Sequence, residues 1–183
     1  MEDRPLSDAA LAVRAGGGDE RAFEELVRAH QGMAFRTAYL LTGSASDAEE
    51  AVQLAFVKAW TALSRFRPGA EFRPWLLRIV ANEAHNWRRS TQRREALTRR
   101  AVAEAVSGGA VPSPEAAAVD DERRQSLLDA VNRLDERDQD VLVCRYFLDL
   151  GEHETAEVLG VRRGTVKSRT ARALDRLRTE VES

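Results

Sequence analysis

The sequence predicts an all-α protein built as two small helical domains, and three observations carry that expectation. The 183 residues are 43% hydrophobic and 32% charged, with 6% aromatics and five prolines. That composition can fill cores and suits helices better than a strand sandwich or a disordered chain. Apolar residues recur at spacings of three and four through most of the chain, the period of a helix with one buried face. From Ala101 to Glu122 the pattern stops: "AVAEAVSGGAVPSPEAAAVDDE" contains no Lys or Arg, five acids, a Gly-Gly and two prolines. Such a stretch reads as an acidic tether between separately packed units. The expected division is an N-terminal extension over 1–19, a first domain over 20–95, a linker over 96–121 and a second domain over 122–183.

Each element has its own signal. "AFEELVRAHQGMAFRTAYLLTG" is helical material with Gly43 as its stop. Ser46 followed by Glu49 has the form of a capping box. It opens a helix whose stripe is Val52, Ala55, Phe56, Ala59, Trp60 and Leu63. After a turn at Pro68-Gly69, a further helix starts at Pro74. Its Leu76, Val80, Ala84 and Trp87 share one quarter of the helical wheel, with Arg78, Asn82, His85 and Arg89 on the far side. Past the tether, Leu127, Leu128, Val131 and Leu134 form one stripe and Val141, Leu142, Arg145 and Tyr146 another. A short helix from Thr155 to Leu159 ends at Gly160. Trp60 and Trp87 read as core or partial-core residues, while Trp75 suits either a core or a base-stacking platform. Cys144, the single cysteine, lies in the apolar "DVLVCRYFL" and reads as a buried small hydrophobe in a reducing compartment.

Charge is distributed unevenly. The formal net charge is -2, yet "GVRRGTVKSRTARALDRLR", Gly160 to Arg178, holds seven Lys or Arg residues against one acid. Val166, Thr170, Ala173, Leu174 and Leu177 give that helix a core face, and Ser168, Arg169, Arg172 and Arg176 occupy the opposite arc. A short helix, a turn after Gly160 and a basic second helix form the pattern of a helix-turn-helix, which lays its second helix in the DNA major groove. Arg and Lys neutralise phosphates and pair with guanine, while Thr and Ser reach phosphates or base edges. A second basic run, "RRSTQRREALTRR" from Arg88 to Arg100, holds six arginines against one glutamate. Two basic patches with an acidic tether between them suit a protein that touches nucleic acid at two separated places.

Other classes find little support. His153, Glu154 and Glu157 lack the His-Glu-x-x-His spacing of a metal site, and His30 and His85 are remote in sequence. No Gly-rich phosphate loop or nucleophile motif occurs; no enzyme activity, metal or cofactor is expected. No run of 18 apolar residues exists and the start "MEDRPLSDAA" is acidic, so a cytoplasmic protein without membrane insertion is expected. A ligand- or dimer-controlled helix-turn-helix regulator would fit the C-terminal half alone, but not the Asn- and Arg-rich helix that ends the first half.

Taken together, "AYLLTGSASDAEEAVQLAFVKAWTALSRFR" and "EFRPWLLRIVANEAHNWRR" resemble the region-2 domain of extracytoplasmic-function (ECF) sigma factors of the sigma-70 family. "LDERDQDVLVCRYFLDLGEHETAEVLGVRRGTVKSRTARALDRLR" resembles their region 4. The resemblance spans roughly residues 20 to 95 and 122 to 179. It implies a promoter-specificity subunit that binds core RNA polymerase, reads the minus-35 duplex and opens the minus-10 element, with an anti-sigma factor as a further partner. It assigns Arg162, Arg163, Thr165, Lys167, Ser168, Arg169 and Arg172 to the minus-35 duplex. Arg78, Asn82, Asn86 and Arg89, with the loop from Arg65 to Arg73, go to the unpaired minus-10 strand. Asp47, Glu50, Gln53 and Trp60 go to the polymerase. The sequence departs from the family pattern at Leu54 and Ala55, after Gln53, and at Thr155, where an Ile-like core residue is usual; the latter predicts a looser first helix in the helix-turn-helix.

Overall fold

The structure is a computed structural model that describes residues 6–103 and 119–182. Every regular element among the described residues is helical. Helix α1 (Asp8–Gly16) is capped by Ser7, whose hydroxyl accepts from the Ala10 amide at 3.3 Å. Its Leu11, Ala12 and Ala15 are buried, and Asp8 meets the buried His30 of the next helix at 2.8 Å. The segment 1–19, read from sequence as an extension, therefore contains a helix packed into the first core. Gly16 permits this approach, because a Cβ there would lie 2.7 Å from the Leu63 carbonyl oxygen.

Helix α2 (Glu20–Thr42) starts at Asp19, which accepts from the Ala22 amide at 3.1 Å. That bond and Arg14 beside it hold the Asp19 carboxyl below its ordinary range. The helix stops at Gly43 in the left-handed region (φ 74°), as the sequence predicts. Helix α3 (Ala45–Ala62) buries a row of small residues, Ala48, Ala51, Ala55 and Ala59, which lets it close tightly on its neighbours. Val52, Phe56 and Trp60 flank this row and are only partly buried, so the buried stripe is rotated from the one the larger side chains suggest. The cap is also displaced: Ser44, not Ser46, accepts from the Asp47 amide, at 3.3 Å. A 3-10 turn (Leu63–Arg65) and a bend through Gly69 (φ 86°) lead to α4 (Phe72–Ala103). That helix begins two residues before Pro74, within the first turn, where proline's missing amide hydrogen is harmless. Leu76, Val80 and Ala84 are fully buried, as their spacing predicts.

The tether's centre, with Glu104 and Glu115, lies outside the described residues; α4 continues to Ala103 and α5 (Val119–Arg133) begins before the expected boundary. Helix α6 (Glu136–Leu142) is capped by Asp135 and runs into a π turn (Val143–Phe147). The wider turn shifts the register. Val143 and Cys144 go inward while Tyr146, expected on the core face with Val141 and Leu142, is 59% exposed. Leu127, expected in the buried stripe of α5, is also exposed. Helices α7 (Glu152–Leu159) and α8 (Arg163–Glu182) complete the chain. Thr155 is fully buried and its hydroxyl has no hydrogen-bond partner. Cys144 is buried, as expected, and burial pushes its thiol up to about 12.

Candidate nucleic-acid interface

The helix-turn-helix takes its geometry from Gly160. In the left-handed region (φ 62°) it ends α7 and turns the chain into α8. Val166 and Ala173, both fully buried, fix α8 to Leu134, Val141, Leu142 and Ala156. Leu174, expected on that face, is instead 37% exposed because it falls beyond the edge of this small core. On the outer side Arg162, Arg163, Lys167, Ser168 and Arg172 are exposed, with Thr165 and Arg169 half-buried beside them. The sequence-predicted minus-35 residues thus lie together on the first turns of α8, with Arg162 immediately before its start.

Local bonds set this face. The Ser168 hydroxyl donates to the Thr165 carbonyl at 3.1 Å and Arg172 donates to the Ser168 carbonyl at 3.3 Å. Arg163 pairs with Glu152 of α7 at 3.2 Å. Arg176, on the same arc by spacing, serves the fold instead: it meets Asp135 at 2.8 Å and also Asp138. The Asp138 hydrogen bond holds its guanidinium above the ordinary arginine range.

On α4, Arg78, Asn82, Asn86 and Arg89 are all exposed along one side. Arg89 donates to the Asn86 amide oxygen at 2.9 Å, and the two help line a basic groove of about 400 Å³ with Ser90, Arg93 and Arg94. Arg94 lies over the Trp87 ring, 5.5 Å from its centre. His85, assigned to the polar side from spacing, is buried, with its Nε2 2.7 Å from Asp140. Helix α6 covers that part of α4, a contact between residues distant in sequence that no local pattern encodes. Trp75 is half-buried against Phe66 and Phe72, with ring centres 5.3 and 5.6 Å away. It borders a cleft of about 670 Å³ into which Arg65, Arg67 and Arg78 also face.

The four residues assigned to the polymerase are not equivalent. Glu50 and Gln53 are exposed on α3. Asp47 is half-buried and accepts from the Trp87 indole at 2.9 Å, tying α3 to α4. Trp60 packs on Phe23 with ring centres 4.9 Å apart. Sequence reasoning passed over Val57, 62% exposed beside Leu54 at 40%; apolar residues outside the helix's buried stripe were the available signal.

Two sigma-family models match this chain: Sigma-70 region 2 over residues 26–94 and Sigma-70, region 4 over residues 124–177. Together they cover more than half of it. The chain belongs to the sigma-70 family, in its ECF group. Among curated proteins of this family, it is 33% identical to RNA polymerase sigma factor NccH of Alcaligenes xylosoxydans xylosoxydans, over 98% of this chain and 97% of that one. It is 32% identical to the ECF RNA polymerase sigma-E factor of Escherichia coli, over 97% and 95%. Among solved structures, CnrH in complex with the cytosolic domain of CnrY superposes with a TM-score of 0.69 at 27% identity, covering 96% and 97% of the two chains. RpoE, in complex with the anti-sigma factor NepR from Bartonella quintana, shares the fold, with a TM-score of 0.62 at 23% identity over 87% and 96%. As an RNA polymerase sigma factor, the chain acts in transcription initiation. Among the described residues no helix is long and apolar enough to cross a membrane.

Proposed function

We propose that this sigma factor binds core RNA polymerase through the outer face of α3, reads a minus-35 duplex with α8 and holds the unpaired minus-10 strand with α4. The observation that carries the reading is the presence of two different polar faces on one chain. The start of α8 presents Arg, Lys, Ser and Thr to a groove, a set suited to phosphates and guanine edges. The α4 side sets two carboxamides, Asn82 and Asn86, between Arg78 and Arg89, and the carboxamides supply both a donor and an acceptor to a base edge freed from pairing. Arg162, Arg163, Thr165, Lys167, Ser168, Arg169 and Arg172 form the first face, and Arg78, Asn82, Asn86 and Arg89 the second. Glu50 and Gln53, with Leu54 and Val57 beside them, make the polymerase contact, while Asp47 and Trp60 shape it from partly buried positions.

The protein acts in the cytoplasm by directing polymerase rather than by catalysis. An anti-sigma factor is a further partner; the similar CnrH is solved with the cytosolic domain of CnrY bound. Purified core polymerase and the full chain, supplied with a pool of promoters, test the proposal. A subset of promoters should yield transcripts only when the chain is present. Polymerase binding without promoter-selective transcription would overturn it.

A further inference from the structure

Helix α4 carries a carboxylate inside the first half: Glu83 is only 6% exposed, although a buried acid is costly unless it is paired. Its partner comes from α3, where the Lys58 ammonium reaches the Glu83 Oε1 at 2.7 Å while the rest of that side chain stays largely in solvent. The same oxygen accepts from the Asn86 carboxamide, whose Nδ2 lies 3.4 Å away. Asn86 in turn accepts through Oδ1 from Arg89 at 2.9 Å. Lys58, Glu83, Asn86 and Arg89 thus form one chain of polar contacts that ends on the exposed side of α4 assigned to the unpaired strand. Lys58 follows Val57 and lies one turn from Leu54, both exposed, so the other end starts on the surface assigned to polymerase.

Such a pair adds little to stability, because desolvating two charges offsets most of their attraction. What it supplies is direction. A carboxylate only accepts and a guanidinium only donates, so Asn86, three residues from each along the helix, has one orientation that satisfies both neighbours. Turned over, its N–H groups would face Arg89 and its oxygen would face Glu83. In the satisfied orientation one N–H and one oxygen lone pair remain for a base, with the donor on the Glu83 side and the acceptor on the Arg89 side. Base edges differ in the order of their donors and acceptors, and a carboxamide free to turn over would match both orders. Arg89 also meets Glu136 of α6 at 3.4 Å, whereas Glu83 and Lys58 both belong to the first half.

We propose that Glu83 is a positioning residue for strand reading, fixing the Asn86 carboxamide so that Asn86 favours one base in the unpaired strand. This role rests on the assignment of Asn86 to that strand. Lys58 offsets the cost of keeping the Glu83 charge inside the fold.

The test uses holoenzyme assembled from core polymerase and the full chain, with promoter opening measured at equal polymerase occupancy over single-base variants of the minus-10 element. Asn86→Ala should flatten the preference at one base position. Glu83→Gln keeps the size of the side chain but can donate as well as accept, and it should lower that preference about fivefold, the effect of one neutral hydrogen bond. In an Asn86→Ala background Glu83→Gln should change nothing further, because its effect passes through that carboxamide. A merely structural residue would instead lower opening at every base alike, and in both backgrounds. A preference altered by Asn86→Ala but not by folded Glu83→Gln overturns the positioning role alone. A preference that Asn86→Ala leaves intact fails the strand assignment, and the role falls with it. Should Glu83→Gln not fold, nitrogen relaxation of the Asn86 side-chain amide in the wild-type chain decides: order close to that of the helix backbone supports a held carboxamide, and the order of a freely turning side chain overturns it.

Discussion

The two halves differ in how completely each buries its own apolar surface. Helices α1 to α4 enclose a core with Leu26, Leu41, Leu63, Phe72, Leu76 and Leu77 among its members. Among the described residues, the helix-turn-helix has a private core of Leu134, Val141, Leu142, Ala156, Val166 and Ala173. The apolar side chains of its π turn and of the segment leading to α7 lean on the first half instead. The difference teaches that the helix-turn-helix half has little core of its own, as small units do, and that the first half on which its π turn packs contributes to its stability.

Truncating each core breaks or sharpens this comparison most strongly. Leu76→Ala and Leu142→Ala each remove a leucine that is essentially inaccessible to solvent and should cost about 2 to 5 kcal/mol. Their reach should differ. Trp60, Trp75 and Trp87 all report on the first half. Leu142→Ala should therefore lose helix signal in a transition that precedes the tryptophan change, while Leu76→Ala should bring both down together. Coincident transitions in Leu142→Ala would show that the halves unfold as one.

The next largest contrast is between the two proposed reading faces. Arg169→Ala or Arg172→Ala should cost roughly 1 to 3 kcal/mol on duplex minus-35 DNA and relax one base position, provided that side chain pairs with guanine. Uniform loss across single-base variants, with the salt slope reduced by about one unit, would mark a phosphate contact instead. Asn82→Ala should slow promoter opening and leave polymerase binding intact. Opening at the wild-type rate would remove Asn82 from the strand-reading face.

The exposed polar sides of α4 and α8 were legible in the sequence because charge at helical spacing is a local signal. The stops at Gly43 and Gly160 were legible for the same reason, since each needs a left-handed turn that glycine adopts without strain. What escaped was decided at long range. His85 carries no mark that Asp140 will cover it, and the engagement of Arg88 by Gln139 joins residues far apart in the chain. Tyr146 and Leu174 were misread because periodicity assumes a regular helix against an extensive core. One stands on a π turn and the other beyond a small core's edge.

Cys144 sits where the two halves meet, and its titration reports on that contact. Its thiol rises from 9.0 to about 12, first through burial and then through the nearby Asp140 charge. The folded chain keeps a proton that the unfolded chain releases between those values, so stability is complete below pH 9 and falls as pH rises through this window. The loss should be on the order of 1 kcal/mol at pH 10, measured by denaturant unfolding against Cys144→Ala, in which this part of the slope should vanish. An unchanged alkaline slope in the variant would assign it to other groups. Alkylation of the native protein at pH 8 should be slow for the same reason.

The smallest expected effect distinguishes two serines at the start of α3. A capping box at Ser46 and Glu49 fits the sequence, yet the helix begins earlier, with Ser44 extended (φ −134°, ψ 130°) and its hydroxyl accepting from the Asp47 amide. Asp47 occupies the position from which a box residue would reach back to the cap, but its carboxylate turns to the Trp87 indole. The side chain that would complete the box thus joins α3 to α4, leaving Ser44 as the side-chain cap. Ser44→Ala should cost about 1 kcal/mol and lower the melting temperature by roughly 2 to 4 °C in a chain of this size. Ser46→Ala removes only a contact with the Ser44 hydroxyl at 3.1 Å, and its melting curve should overlay wild type. Thermal melts of the two variants side by side decide the matter: a larger loss in Ser46→Ala would return the cap to the position suggested by sequence spacing and free Asp47 from its fixed place against Trp87.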